Sequence, residues 1–143
     1  MVNKIGKIEK LLTGEYQSPF SRKNIKLPID EIVITSSILN YQFRHFEKFE
    51  NKKNLIISGV NSFKSLGNKV IERFNQEKIK YEIKILENYQ STINYASSIA
   101  SSLKEYDNII CISSWSIIYL CKFISNKKNQ RLIVYLSSLS AAA

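Results

Sequence analysis

Few side chains in this sequence are of types that carry out chemistry, and their spacing decides most of what they could do. There is one histidine, His45, and there are two cysteines, Cys111 and Cys121. A nucleophile needs a base within hydrogen-bond reach and a third group to orient that base, and no Ser/His/Asp, Cys/His or paired-carboxylate arrangement stands out. A catalytic divalent ion wants about three protein ligands of nitrogen or oxygen type, and His45 stands far upstream of any partner. A phosphate-binding loop needs glycines at fixed spacing, and neither a Walker-type loop nor G-x-G-x-x-G occurs. His45 precedes Phe46 beside an apolar stripe, which reads as a surface or boundary position. Both cysteines sit inside apolar runs, so they read as a buried strand residue and a core helix residue. Neither has the basic, part-exposed setting of a reactive thiol.

The elements that would position these residues follow from periodicity. Residues 1–14 read as a helix with Ile5, Ile8, Leu11 and Leu12 on one face and Gly14 as its stop. Residues 15–28 hold both prolines and read as an extended lead-in. A strand is expected over residues 30–35, then a helix to Phe49 whose buried stripe is Leu39, Phe43, Phe46 and Phe49. Residues 54–58 form a short, continuously apolar run, as in a strand covered on both faces. After a turn at 59–62 come a helix over 63–77, a strand over 81–86 and a helix over 92–106. A strand at 108–112, a helix at 116–125 and a strand at 131–136 complete the pattern. Strands alternating with helices predict an α/β domain, a three-layer Rossmann-like arrangement with a mostly parallel sheet and helices on both faces.

The totals limit the function classes. A chain of 143 residues is one domain's worth. Two cysteines are too few for a disulfide framework, which fits a reducing, cytoplasmic setting. Net charge is +9 and the isoelectric point about 9.5, which invites a nucleic-acid reading. The lysines are dispersed, however, and interleaved with glutamates. Binding driven by counterion release wants them clustered, so nucleic acid is not an expected partner. The tightest clusters, residues 51–54 and 126–129, read as turns. The stretch 109–124 is too short and too polar for a membrane span, and the first ten residues do not resemble a signal peptide. No membrane partner is expected.

Three segments together resemble the N-terminal domain of the superfamily that contains iron-containing alcohol dehydrogenases, glycerol and glycerol-1-phosphate dehydrogenases and dehydroquinate synthase. Ile25-Lys26-Leu27-Pro28, leading into Ile32-Val33-Ile34, is similar to that family's opening strand. Residues 54–60 followed by a helix and residues 81–86 resemble its first nucleotide-fold unit. Residues 108–122 resemble its strand, Gly-Gly-Gly-Ser turn and following helix. The resemblance implies a division into residues 1–24 as a lead-in, 25–140 as the Rossmann-like domain and 141–143 as a tail that reads as truncated. It implies NAD(P) as cofactor and a metal-dependent polyol or polyol-phosphate oxidation for a complete member. The cofactor-binding positions it assigns are Gly59, Ser113, Ser114, Ser116 and Lys122.

This sequence departs from the family where the chemistry is concentrated. A phosphate-cradling turn relies on bare backbone at a helix start. Ser113, Ser114 and Trp115 stand where the family has three glycines, and Tyr119 replaces an aspartate. Tyr135 and Leu136 replace a Pro-Thr pair, and Ala141 falls near a metal-ligand aspartate. Two readings of Trp115 stay open: a plug in the former cofactor cleft, or an exposed anchor for a partner. Gly59 and Gly67 serve turn and packing needs or contact a cofactor; Ser137, Ser138 and Ser140 line a cleft or lie in a solvated loop. The expectation is a degenerate, non-catalytic relative, with no cofactor of its own, working with a protein partner or as a homo-oligomer. The alternative is the NAD(P)-binding part of a truncated or split dehydrogenase or dehydroquinate synthase-like cyclase.

Overall fold

The computed structural model describes residues 4–26 and 46–137, which fall in two units, Met1–Ser36 and Ser37–Ala143. The strand expected at 30–35 and most of the helix expected before Phe49 lie outside the described residues, as do His45, Ser138, Ser140 and Ala141. The 1–24 and 25–140 division remains an expectation from the resemblance.

In the first unit, α1 runs Lys4–Thr13 and stops at Gly14, whose φ of 82° is the left-handed conformation that ends many helices. The extended lead-in is corrected here. Tyr16–Gln17 (β1) pairs antiparallel with Asn24–Ile25 (β2), so the segment doubles back as a small hairpin. Ser18 makes the turn: its hydroxyl oxygen accepts from the Phe20 and Ser21 amides at 3.3 and 3.2 Å. A serine before a proline favours such a turn.

The second unit carries a four-stranded parallel sheet. Its strands are β3 (Asn54–Gly59), β4 (Glu82–Leu86), β5 (Asn108–Ser113) and β6 (Arg131–Leu136), in the spatial order β4-β3-β5-β6. Leu55 lies opposite Ile109 and Ile57 opposite Cys111, so equivalent faces of the central strands line up. Every residue of β3 and β5 is buried, as the unbroken apolar runs require of strands covered on both sides.

Alternation along the strands sorts the core into two layers. Leu55, Ile57, Ile109 and Cys111 face α4 (Ile93–Ser102) and α5 (Trp115–Lys127), meeting Ala96, Ala100, Ile117, Cys121 and Ile124. Ile56, Ile110 and Ile112 face the other way, against Val70 and Phe74 of α3 (Asn68–Gln76) and against Phe49. The Rossmann-like α/β arrangement with helices on both faces is therefore present.

Helix bounds shift from those expected. The turn read at 59–62 divides between the last residue of β3, Gly59, and a helix: α2 (Val60–Ser62) runs through a π-helical turn at Phe63–Gly67 into α3. The helix read to residue 106 ends at Ser102, with Leu103 extended. Lys128 holds that end from another element, its Nζ donating to the Ala100 and Leu103 carbonyls at 3.2 and 2.9 Å. Phe46–Lys48, the described part of the helix expected before Phe49, is a 3-10 turn. The basic cluster 51–54 is a turn only up to Lys53, with Asn51 at a φ of 54°, before Asn54 opens β3. The cluster 126–129 is likewise split, since α5 runs to Lys127.

The amino ends of the central strands are tied by a buried amide pair. Asn108 Nδ2 donates to Asn54 Oδ1 at 2.7 Å and to the Lys48 carbonyl at 2.7 Å. Asn54 Nδ2 in turn serves the Phe49 and Lys80 carbonyls at 3.0 and 2.9 Å. The run at 109–124 that is too short for a membrane is resolved into most of β5 and α5. Among the described residues no helix is long and apolar enough to cross a membrane.

Candidate functional site at the carboxyl edge of the sheet

In an open parallel sheet, ligands bind outside the carboxyl ends of the strands, where successive strands depart in opposite directions. Here β4 follows β3 on one side and β5 lies on the other, so that point falls between the carboxyl ends of β3 and β5. Gly59 ends β3, and Ser113 ends β5 with Ser114 next. Three of the five assigned positions, Gly59, Ser113 and Ser114, thus come together. Ser116 lies exposed on the first turn of α5. Lys122 is exposed on the same helix, seven residues beyond Trp115 and so about 10 Å along the axis.

The turn at 113–116 is shorter than the sequence reading had it. Ser113 is still strand, 2% exposed and in register with Leu136 of β6. The helix starts at Trp115, which leaves Ser114 alone as the connection. Ser114 has extended backbone (φ −89°, ψ −177°), and its side chain makes no capping bond to the helix it precedes.

Two contacts cover the crevice from opposite faces of the sheet. On the α5 side, a Cβ placed on Gly59 would stand 2.9 Å from Ile117 Cδ1 and 4.0 Å from Ser113 Oγ. Gly59 has φ −82° and ψ 159°, which any residue adopts, so its lack of a side chain serves close packing of α5. On the other side, Ser62 Oγ and Ser137 Oγ are hydrogen-bonded at 2.9 Å, and the Ser137 amide donates to the Ser113 carbonyl at 3.2 Å. Ser58 Oγ beneath them donates to the Ile112 carbonyl at 2.5 Å. Sequence reasoning left Ser137 between lining a cleft and lying in a solvated loop, and read Ser62 only as part of a turn. A serine in the first turn after β3 and another just past β6 were the available signal.

Trp115 points away from this crevice. It is 38% exposed, its ring centroid is 6.5 Å from that of Tyr119, and both line a groove toward α4. Beneath the α5 packing, Cys111 and Cys121 are buried free thiols. A hydrogen bond between them, then burial, raises the Cys121 thiol well above its ordinary proton affinity. At the opposite, amino end of the sheet, the Tyr106 hydroxyl donates to Glu82 Oε2 at 2.7 Å. Partial burial and that bond raise the phenol's pKa. Among the described residues no group of three or more His, Cys, Asp or Glu side chains could hold a metal ion.

No family model matches the sequence, and no curated protein matches it significantly. Among solved structures the chain is similar to glycerol dehydrogenase from Schizosaccharomyces pombe, with a TM-score of 0.54 and 14% identity. The likeness covers 64% of this chain and 23% of that one, so the chain spans less than a quarter of the dehydrogenase it resembles. At that identity the likeness is one of fold.

Proposed function

We propose that this chain is a non-catalytic relative of the nucleotide-binding half of glycerol dehydrogenase-type enzymes, a scaffold that acts through a protein partner. The supporting observation is the covered crevice, with Ile117 packed against Gly59 on one face and Ser62 bonded to Ser137 across the other. On this reading the crevice does not fit a dinucleotide. A pyrophosphate needs bare backbone amides at the helix start, and Ser113 and Ser114 put side chains there. No hydride-transfer step is assigned to any residue of this chain.

Calorimetric titration with NADH, NAD, NADPH and NADP tests this reading. The expected result is no saturable heat at millimolar nucleotide; a micromolar dissociation constant contradicts it.

A second reading is the NAD(P)-binding part of a larger or split NAD(P)- and metal-dependent polyol dehydrogenase or dehydroquinate synthase-like cyclase. It is favoured by the coverage, since the similar part is only 23% of the dehydrogenase chain. It requires that the missing part, as further residues of the same chain or as a separate polypeptide, restore nucleotide binding when present.

A further inference from the structure

A groove beside Trp115 lies apart from the covered crevice. It lies between the first turns of α4 and the exposed side of α5, with a volume of about 440 Å³. That size lies within the range of small-molecule sites. Ala96 and Leu120 form its floor, 1% and 5% exposed. Its walls are flat or apolar groups left in solvent: Trp115, Tyr119 at 63% exposure and Ile93 at 70%. Trp115, Tyr119 and Phe123 recur every four residues, which stacks them along one side of α5. The alanine opposite them leaves room for something thin to lie against the rings.

Charge selects what that would be. Neither α4 nor α5 contains an acidic residue. Lys127 Nζ lies 6.0 Å from the centre of the Phe123 ring, at the far end of the aromatic row. Lys122 is exposed on the same helix, and the whole chain carries +9. Ser91, Thr92 and Ser116 bring hydroxyls to the end where both helices begin, and the starts of two helices add positive potential there.

We infer that this groove binds a small planar aromatic anion, its ring against Trp115 and Tyr119 and its charged group toward the paired helix starts. The inference does not depend on the partner reading, because the groove is separate from the covered crevice between β3 and β5.

Trp115 is the sole tryptophan, so its emission reports directly on the site. The test titrates the full chain with 2-naphthoate, alongside 2-naphthylmethanol, which keeps the ring without the charge, and cyclohexanecarboxylate, which keeps the charge without the flat ring. The expected result is a saturable change with naphthoate, with a dissociation constant on the order of 1 mM or tighter. Each control compound binds about fivefold or more weakly. Tyr119→Ala, at an exposed position that does not hold the core, weakens naphthoate about fivefold. Ala96→Leu, which raises the floor, abolishes binding where its far-ultraviolet dichroism matches the wild type; if it unfolds, Tyr119→Ala decides alone. No saturable change with naphthoate, equal affinity for the uncharged alcohol, or unchanged affinity in Tyr119→Ala overturns the inference.

Discussion

A side chain at position 59 would begin 2.9 Å from Ile117 Cδ1, so Gly59 is the residue that lets the first turn of α5 settle onto the carboxyl end of β3. Because φ there is −82°, the constraint is space rather than backbone conformation. The obstructing atom is the end of a flexible side chain, which can turn aside at modest cost. Gly59→Ala is therefore expected to destabilise the fold by about 1 kcal/mol. Ile117→Val, which removes that atom, costs about 1 kcal/mol alone. The double variant is expected to be more stable than the sum of the two, and urea denaturation of all four proteins measures the coupling.

The Asn54–Asn108 pair makes a sharper prediction. Replacing Asn54 with alanine removes the acceptor 2.7 Å from Asn108 and the donor to the Phe49 and Lys80 carbonyls. Buried groups left without partners cost about 1–3 kcal/mol each, so Asn54→Ala is expected to lose roughly 3 kcal/mol. Exposed Asn126→Ala serves as the control and is expected to stay within about 0.5 kcal/mol.

The buried thiols should be inert. Cys111 and Cys121 are both 0% exposed, and the hydrogen bond to Cys111 holds the Cys121 proton to higher pH than its ordinary value of 9.0. The folded value lies above the unfolded one. Its stabilising contribution is thus complete below about pH 9 and is lost as pH rises through the folded value. Ellman's reagent at pH 8 is expected to label neither thiol in the folded protein and both in guanidinium.

Tyr106 gives a spectroscopic check at the other end of the sheet. Its phenol titrates above the ordinary 10.0, through partial burial and the bond to Glu82. The sign is the same as for the thiol: the contribution is present below pH 10 and lost as the phenol ionises in the fold. Subtracting the 295 nm titration of Tyr106→Phe from that of the wild type is expected to isolate one late-ionising phenol. Glu82→Gln, which removes the charge, should move it down.

The sheet was legible in the sequence because buried parallel strands have only one pattern open to them. Residues 131–136 were read with the bounds that β6 has, and β3 and β5 each run one residue further than read, to Gly59 and Ser113. Those single residues matter most. A serine at the end of an apolar run looks like a turn, and only its pairing opposite Leu136 reveals that Ser113 is still strand. The end of α4 was missed for a related reason. No glycine or proline marks it, and the group that caps it, Lys128, comes from 25 residues beyond Leu103. The crevice was located by the resemblance and by the turn chemistry at 113–116. How it is covered was not legible, because Gly59–Ile117 and Ser62–Ser137 are contacts between elements far apart in sequence.

The covering of the crevice is tested most directly by amide and methyl NMR shifts during titration with NADH to several millimolar. The amides of Gly59 and Ser113 and the Ile117 methyl groups are the reporters. The account predicts that these signals stay in place throughout. Saturable movement centred on Gly59 and Ile117 would mean that a pyrophosphate enters between β3 and β5, and would contradict it.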